Sequence, residues 1–282
     1  MTRLTNTDIK DIGPGLEAYE AELAAKTGRS LLGLACHACH LDENQVQKDL
    51  TFLKTAVIPM TCGQGVLSGF SEAVRSIAAH LGCPVRVTEL TDAGGLGEAV
   101  ANRCELLLLA DENSYLALHL DKRLQIDNDT ATAQGFVAGL DLMAGGVAGK
   151  KSLVLGCGPV GRSAARALAV REAEVSLYDL DRNTAEKARD GLEAAGRKRF
   201  SLCPSLEDGL QQHQLIVEAT PAAALITRQW IRPDMYIAAP GMPLGIEAEA
   251  HQAAESRILH DPLQIGTATM VVKALHEQKS SR

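Results

Sequence analysis

The 282-residue sequence has few aromatic residues and no excess of positive charge, and both absences exclude classes of partner. Phe, Trp and Tyr together make up 3% of the chain, with Trp230 the only tryptophan, so little surface is available for stacking nucleobases. The net charge is −7, whereas general nucleic-acid binding needs a positive field that faces the phosphates. The sequence therefore predicts no nucleic-acid partner.

Long apolar runs are missing as well. No stretch reaches the roughly 18 apolar residues that a membrane-spanning helix needs, and the N-terminal segment lacks the apolar core of a signal peptide. The seven cysteines are an odd number, which fits reduced thiols better than a disulfide framework. We therefore expect a cytoplasmic protein with no membrane partner.

The pattern along the chain predicts an α/β protein. The first fifty or so residues read as helices, one with Leu16, Tyr19 and Leu23 on one face and starting at the Gly13-Pro14-Gly15 break, another capped by Ser30. Strands then alternate with helices, which indicates a small parallel sheet. These first strands are predicted at Ala56–Met60, Pro84–Leu90 and Leu106–Leu109.

A long helix over about Thr130–Leu142 reads as a connector to a second alternating series, which predicts a Rossmann domain. We expect an N-terminal helical and α/β domain over residues 1–129, a connector over 130–147 and a dinucleotide-binding domain over 148–282. The strands of the last domain are predicted at Ser152–Leu155, Glu174–Tyr178, Leu215–Glu218, Met235–Ala238 and Ile258–His260.

A dinucleotide motif opens the second series. Ser152–Leu155 leads into Gly156-Cys-Gly-Pro-Val-Gly161 and an alanine-rich helix, the strand, turn and helix that a G-x-G-x-x-G motif needs to bind a pyrophosphate. Asp179 ends the next strand, where a carboxylate accepts hydrogen bonds from ribose hydroxyls and repels a 2′-phosphate, so NAD is favoured over NADP. The predicted cofactor residues of this motif are Gly156, Gly158, Pro159, Val160, Gly161 and Asp179.

Two later loops also follow strand ends, where open sheets of this type bind ligands. Thr220-Pro221 and Pro240-Gly241 are therefore predicted to lie beside the nicotinamide. The alternative is that both are plain turns containing proline and glycine.

Polar groups also follow the strands of the first series, at Thr61-Cys62, Thr91-Asp92 and Ala110-Asp111. Asp111 follows four leucines and Ala110, and a carboxylate at the mouth of an apolar layer is costly unless it has a partner such as a cationic ligand. The alternative is that Asp111 or Asn113 simply caps a helix over Ser114–Leu120.

The segment Cys36-His-Ala-Cys-His40 matches a haem-attachment motif and half of a zinc site. No export signal and no clustered further ligands accompany it, so we predict no metal and an ordinary helix with its thiols inward. His260, beside Asp261, is assigned a surface or packing role.

Seven motifs occur in an order that resembles the PylD family of pyrrolysine synthases, which are NAD-dependent dehydrogenases. They extend from Val57 to Met270 and are VIPMTCGQGVLSGFSEAV, LLLLADENSYLA, LVLGCGPVG, YDLD, VEATP, AAPGMP and PLQIGTATM. The first two are the most specific, because the nucleotide motifs occur in many families.

The resemblance implies the last step of pyrrolysine biosynthesis. The family oxidises the terminal amine of L-lysine-Nε-(3R)-methyl-D-ornithine with NAD, releases ammonia and lets the product cyclise. The substrate contacts that the resemblance implies fall on Leu4, Thr61, Cys62, Ala110, Asp111, Asn128 and Asp261. Cys62 stands where the family pattern has Ser, and Asp261 stands where it has Glu. Asp111 is the predicted catalytic residue, as a group that positions the reacting end rather than as a general base.

Other functions stay open from the sequence. The chain could be a different two-domain amino-acid or hydroxy-acid dehydrogenase, or a non-catalytic NAD-binding sensor. The partner implied in either enzyme case is a small molecule, and for this family a dipeptide-like one. A homodimer is possible, but no motif indicates one.

Overall fold

A computed structural model describes residues 4–196 and 199–276. In this part of the chain the helices are α1 (Asn6–Ile9), α2 (Ile12–Thr27), α3 (Leu31–Cys39), α4 (Glu43–Leu50), α5 (Phe70–His80), α6 (Asp92–Ala101), α7 (Asn128–Met143), α8 (Pro159–Val170), α9 (Arg182–Ala195), α10 (Leu206–Gln212), α11 (Ala248–Ala254) and α12 (Gln264–His276). None of these helices is long and apolar enough to span a membrane.

The first sheet has the strand order β2-β1-β3-β4-β5. Its strands are β1 (Thr55–Ile58), β2 (Val85–Val87), β3 (Leu106–Ala110), β4 (Tyr115–His119) and β5 (Leu124–Asp127). The first three run parallel, as the sequence predicts, but β4 and β5 are antiparallel to their neighbours. The sheet is therefore mixed rather than parallel.

The alternative of a helix over Ser114–Leu120 is wrong, because β4 occupies this segment. Residues of β4 alternate between buried and half-buried, with Tyr115, Ala117 and His119 buried, which is the burial pattern of a strand that is covered more fully on one face. Pairing with the whole of β3 holds it there. Asp111 therefore begins a hairpin turn and caps no helix.

Ser30 caps α3 as predicted, by accepting a hydrogen bond from the Gly33 amide at 2.9 Å. The predicted start of the helix before it is wrong by a few residues, because α2 begins at Ile12 and includes Gly13-Pro14-Gly15. Pro14 is tolerated because the first amides of a helix have no intrahelical acceptor in any case.

The second sheet is parallel throughout, in the order β11-β10-β9-β6-β7-β8. Its strands are β6 (Lys151–Leu155), β7 (Glu174–Tyr178), β8 (Ser201–Leu202), β9 (Leu215–Glu218), β10 (Tyr236–Ala238) and β11 (Ile258–Leu259). The chain reverses its direction of winding between β6 and β9, so the crevice where this type of sheet binds ligands lies beyond those strand ends. The predicted Rossmann organisation is confirmed.

Two helices join the sheets. The connector α7 packs against α8 of the second unit and against α3 and α12. Small residues allow this close approach: a Cβ at Gly135 would lie 2.4 Å from Ile265 Cγ2, and one at Gly139 would lie 2.2 Å from Leu259 Cδ2. The last helix, α12, returns to pack on β4 and β5 of the first sheet. One buried cluster therefore includes residues from both units.

Candidate active site

The turn after β6 has the conformation that its three motif glycines predict. Gly156 has φ of +87°, and a Cβ there would lie 2.8 Å from the carbonyl oxygen of Ala219. A Cβ at Gly161 would lie 1.9 Å from the Gly156 carbonyl oxygen, so α8 approaches the turn more closely than any other residue would allow. Gly158 has open space where its side chain would be. The turn is thus closely packed at Gly156 and Gly161 and open at Gly158, as a phosphate-binding turn must be.

Helix α8 begins at Pro159, with Gly158 as its N-cap residue. The first amides of a helix have no intrahelical acceptor, and the helix dipole adds partial positive charge at this end. This end of α8 is therefore suited to an anionic group such as a pyrophosphate.

The carboxylate of Asp179 lies beside this turn. Its Oδ2 accepts a hydrogen bond from the Cys157 amide at 2.8 Å, and its Oδ1 accepts one from the Asp181 amide at 3.0 Å. Asp179 therefore fixes the turn to the end of β7. Its contact with a ribose stays a prediction.

A cleft of about 540 Å³ lies over the turn. Its wall unites the dinucleotide turn with the two later loops and with the first turn of α7. It is lined by Asp129, Gly158, Pro159, Val160, Ala219, Thr220, Pro221, Pro240, Gly241 and Met242. Thr220-Pro221 and Pro240-Gly241 thus line one cleft with the motif residues, and their contact with a nicotinamide stays a prediction; the sequence gave no reason to include Asp129.

Glu218, for which the sequence predicts only a place at the end of a strand, organises both of those loops. Its side chain is fully buried at the end of β9. Oε1 accepts hydrogen bonds from the amide and the hydroxyl of Thr220, and Oε2 accepts one from the Gly245 amide at 3.2 Å. Gly241 and Gly245 lie so close to this carboxylate that a Cβ at either would be within 2.7 Å of it. One buried acid thus ties together the two loops beside the cleft.

We expect Glu218→Gln to lower the free energy of unfolding by about 1–3 kcal/mol, because the amide nitrogen cannot accept the Gly245 N–H. Burial raises the pKa of the Glu218 carboxyl, and the hydrogen bonds from Thr220 and Gly245 oppose this rise. Because the pKa of Glu218 is higher in the folded state than in the unfolded state, the free energy of unfolding should fall as pH rises from the unfolded-state pKa to the folded-state pKa. The variant should lose that part of the pH dependence.

Urea unfolding at several pH values measures both effects. The matched control is Glu207→Gln, the same change at an exposed position, which should alter stability by no more than about 0.5 kcal/mol. Equal stability of the Glu218→Gln variant and the wild type would show that Glu218 does not anchor the loops.

The first sheet also presents polar groups at the edge where β1, β2 and β3 end. Thr61 donates to Asp92 twice, from its amide at 2.9 Å and from its hydroxyl at 2.7 Å. These hydrogen bonds lower the pKa of the exposed Asp92 carboxyl. Thr61 is thus held in place by the residue that begins α6.

Asp111 accepts hydrogen bonds at Oδ1 from the amides of Asn113 at 2.7 Å and Ser114 at 2.8 Å. This carboxylate therefore stabilises the β3–β4 turn, a role for Asp that was not considered from the sequence. The two amides bind the same oxygen, Oδ1, and the residue is only half-buried. A ligand contact through Asp111 stays a prediction.

The segment after β1 lies directly on this turn. A Cβ at Gly63 would lie 2.2 Å from the Asp111 carbonyl carbon, and one at Gly65 would lie 2.7 Å from the Ala110 carbonyl oxygen. The segment that follows Thr61-Cys62 thus packs against the Ala110-Asp111 turn, and a shared ligand contact of these residues stays a prediction.

Asn128 and Asp261 lie near the start of α12. The Asn128 Oδ1 accepts a hydrogen bond from the Thr132 hydroxyl at 3.1 Å and lies 2.9 Å from where Gly266 would carry a Cβ. Asp261 is 5% exposed and accepts hydrogen bonds from the Leu263 and Ile265 amides. Asp261 therefore holds the beginning of α12, and its predicted contact with a ligand is untested.

Tyr19 is a partner of Asp261 that the sequence analysis did not find. Its hydroxyl donates to Asp261 Oδ2 at 2.7 Å, and the two residues are separated by 242 positions in the chain. Burial raises the pKa of the Asp261 carboxyl, and the hydrogen bond from Tyr19 opposes that rise. Helix α2 thus helps to fix a carboxylate that follows the last strand of the second sheet.

We expect Tyr19→Phe to lower the free energy of unfolding by about 1.5–3 kcal/mol, the usual value of a hydrogen bond to a charged group. The loss should be larger at neutral pH than in acid, because a protonated Asp261 needs fewer donors. Thermal unfolding followed by circular dichroism measures it. Tyr236→Phe is the control, since Tyr236 makes no hydroxyl hydrogen bond within the described residues; equal midpoints for the two variants would contradict the expectation.

Leu4 is 9% exposed and packs in the main buried cluster, so its predicted contact with a ligand is also untested. His260 donates a hydrogen bond from Nδ1 to the Ala239 carbonyl oxygen at 2.7 Å. It therefore has the packing role that the sequence predicted.

The Cys36–His40 segment lies at the C-terminal end of α3. Burial raises the pKa of the Cys36 thiol to about 12, which makes it unreactive. His37 pairs with Asp141 on α7 at 2.7 Å, a partner that the sequence analysis did not find. Within residues 4–196 and 199–276, no cluster of three or more His, Cys, Asp or Glu side chains is arranged to hold a metal ion.

The chain is similar to known proteins along nearly its whole length. The model of the pyrrolysine biosynthesis protein PylD, N-terminal domain, matches residues 8–125. The pyrrolysine synthase of Methanosarcina barkeri (strain Fusaro) is 29% identical over 282 residues, covering 98% of both chains. The pyrrolysine synthase of Methanosarcina acetivorans is 28% identical over 277 residues, covering 98% of this chain and 100% of that protein.

Solved structures with the same fold are more distant in sequence. Quinate dehydrogenase from Corynebacterium glutamicum in complex with NAD superimposes with a TM-score of 0.57 at 16% identity, covering 78% of this chain and 92% of that one. The ligand-free 5-ketofructose reductase of Gluconobacter sp. strain CHM43 gives a TM-score of 0.54 at 15% identity, covering 78% and 91%. These likenesses confirm the predicted fold class.

Proposed function

We propose that the chain, which is similar to PylD-family pyrrolysine biosynthesis proteins along nearly its whole length, is the NAD-dependent dehydrogenase of the final step. The substrate is L-lysine-Nε-(3R)-methyl-D-ornithine. Its terminal amine is oxidised, ammonia is lost, and the carbonyl closes on the neighbouring amine to give the ring of L-pyrrolysine. The two curated relatives carry the name pyrrolysine synthase, which supports this reaction.

The residues at the second sheet fit a dinucleotide. Gly158 leaves space above the start of α8, and the two loops anchored by Glu218 border the same cleft. When bound there, NAD supplies a hydride acceptor. The Asp179 carboxylate at the end of β7 favours NAD over NADP, because it would repel a 2′-phosphate.

One observation carries the proposal: the first turn of α7 contributes neighbouring residues to the edge of the first sheet and to the cleft of the second sheet. Asn128 reaches the start of α12 beside the first sheet, whereas the next residue, Asp129, lines the cleft of the second sheet. A substrate at Asn128 would therefore be adjacent to a cofactor in the cleft. Positioning of this kind supplies a large part of the rate of a two-substrate reaction.

The first sheet offers the groups that a doubly zwitterionic substrate needs. The carboxylate of Asp111 would pair with an ammonium group of the substrate. The Thr61 hydroxyl and the Asn128 amide would form hydrogen bonds with its other polar groups. Cys62, in place of the family's Ser, is a weaker hydrogen-bond donor. We propose that residues 1–129 bind the substrate and residues 148–282 bind the cofactor.

The proposal is tested by incubating the protein with the synthetic substrate and NAD. Absorbance of NADH should rise, and mass spectrometry should show a product lighter by two hydrogens and one ammonia. The control is the variant Gly158→Ala, which should keep its fold and need a higher NAD concentration to reach the same turnover. NADH formation with other amino or hydroxy acids but not with this substrate would indicate a different dehydrogenase, and NAD binding without reduction would indicate a sensor.

A further inference from the structure

We infer that Asp129 is the group that accepts the proton from the terminal ammonium of the substrate. The inference rests on the proposed function and adds the proton acceptor to it. It starts from the position of Asp129 at the first turn of α7, in the wall of the cleft that would hold the cofactor and next to Asn128.

The need for an acceptor follows from the chemistry. A carbon next to an ammonium cannot release a hydride, because the nitrogen has no lone pair to stabilise the developing cation. The proton must therefore leave first: the N–H bond breaks, its electron pair stays on nitrogen, and a carboxylate oxygen gains the proton. The neutral amine then supports loss of hydride to NAD, which leaves an iminium ion that water hydrolyses to the aldehyde and ammonium.

Most carboxylates near the two sheet edges are already engaged in holding the structure. Each of the following accepts hydrogen bonds from its own surroundings: Asp92, Asp111, Asp127, Asp179, Glu218 and Asp261. The Asp129 side chain accepts none from the residues that the structure describes, although its backbone amide donates to Asp127 Oδ1 at 2.9 Å. Its carboxylate lines the wall of the cleft.

The surroundings of Asp129 suit a proton acceptor. Burial raises the pKa of its carboxyl, the positive charge of the chain's N-terminus opposes that rise, the neighbouring Asp127 adds to it, and Arg162 on α8 also opposes it. A carboxylate of ordinary pKa holds an ammonium as an ion pair and raises the amine's pKa, which works against oxidation. A half-buried carboxylate with a raised pKa accepts the proton more readily.

Two variants test the inference. Asp129→Asn should lower kcat by about 10²–10⁴-fold, the usual range for a lost general base, and should remove the acid limb of the kcat/KM pH profile. Asp127→Asn is the matched control, because Asn caps a helix as well as Asp does. It should keep kcat within threefold and move the acid limb to lower pH, since it removes a like charge beside Asp129.

A readout without turnover comes from the titration of carbon-13-labelled aspartate carboxyls by NMR in the absence of NAD. The resonance that disappears in Asp129→Asn should titrate above the ordinary range for aspartate. It should shift to lower pH in Asp127→Asn.

The inference and the proposed function fail in different ways. If the wild type forms no NADH and no cyclised product, the proposed function is wrong. If the wild type turns over but Asp129→Asn keeps its kcat and its acid limb, or if the Asp129 carboxyl titrates in the ordinary range, the inference is overturned and the function stands.

Discussion

Gly161→Ala should destabilise the fold, whereas Gly158→Ala should leave the folding free energy nearly unchanged and weaken cofactor binding. The Gly161 variant should lose about 1–3 kcal/mol or more of folding free energy, because its Cβ would lie 1.9 Å from the Gly156 carbonyl oxygen. The clash is with backbone, and Gly156 cannot move away easily, since it is itself pressed against Ala219.

Gly158 has an ordinary backbone conformation, with φ of −68° and ψ of −173°, and nothing within 4 Å of its Cβ position. Alanine there should change stability by no more than about 0.5 kcal/mol. The new methyl group would fill the space that a pyrophosphate needs, so NAD affinity should fall at least about tenfold, equivalent to ~1.4 kcal/mol.

Gly191→Ala is the control for both variants. Gly191 is an exposed residue of α9 with nothing within 4 Å of its Cβ position, so alanine should be neutral or stabilising by up to about 1 kcal/mol. Differential scanning calorimetry gives the stabilities, and isothermal titration gives NAD affinity. Unchanged NAD binding by Gly158→Ala would show that the turn does not receive the dinucleotide.

Five of the six strands of the second sheet were predictable from sequence to within a residue or two, whereas the two-residue strand β8 was not predicted. The central strands β6 and β9 are short apolar runs that are almost wholly buried, and each ends at a loop that contains polar residues or glycine. The predicted strands at Glu174–Tyr178 and Leu215–Glu218 match β7 and β9 in full. The G-x-G-x-x-G motif also predicts where β6, the first strand of this sheet in the sequence, ends.

The strand β4 was missed because its sequence does not alternate in the usual way. Tyr115, Leu116, Ala117 and Leu118 are all apolar or aromatic, so neither strand nor helix periodicity stands out. Pairing with β3 determines its conformation, and that pairing depends on the turn at Asp111. Local sequence contains no direct sign of it.

The positioning residues of the site were missed for a related reason. Tyr19 meets Asp261 across 242 positions of sequence, and Glu218 contacts loops on either side of β10. Neither contact has a spacing rule that a single sequence reveals. Asp129 likewise became notable only once α7 and the cleft were placed together.

Asp111→Asn should separate the structural role of this residue from its predicted role toward substrate. Asparagine keeps an oxygen that accepts the amides of Asn113 and Ser114, so the β3–β4 turn and the folding free energy should change by no more than about 0.5 kcal/mol. The charge is lost, and with it any pairing with a substrate ammonium.

We therefore expect Asp111→Asn to retain NAD binding and to lower kcat/KM by about 10²-fold, which corresponds to the 1.5–3 kcal/mol of one charged hydrogen bond. Unlike Asp129→Asn, it should keep the acid limb of the pH profile, because it positions the substrate and takes no proton. Asp111→Ala gives the structural comparison, since it should also destabilise the turn. Because asparagine preserves the turn, wild-type kinetics in Asp111→Asn would mean that the carboxylate serves the hairpin alone, and the substrate's ammonium would then have to pair with another acid at this edge.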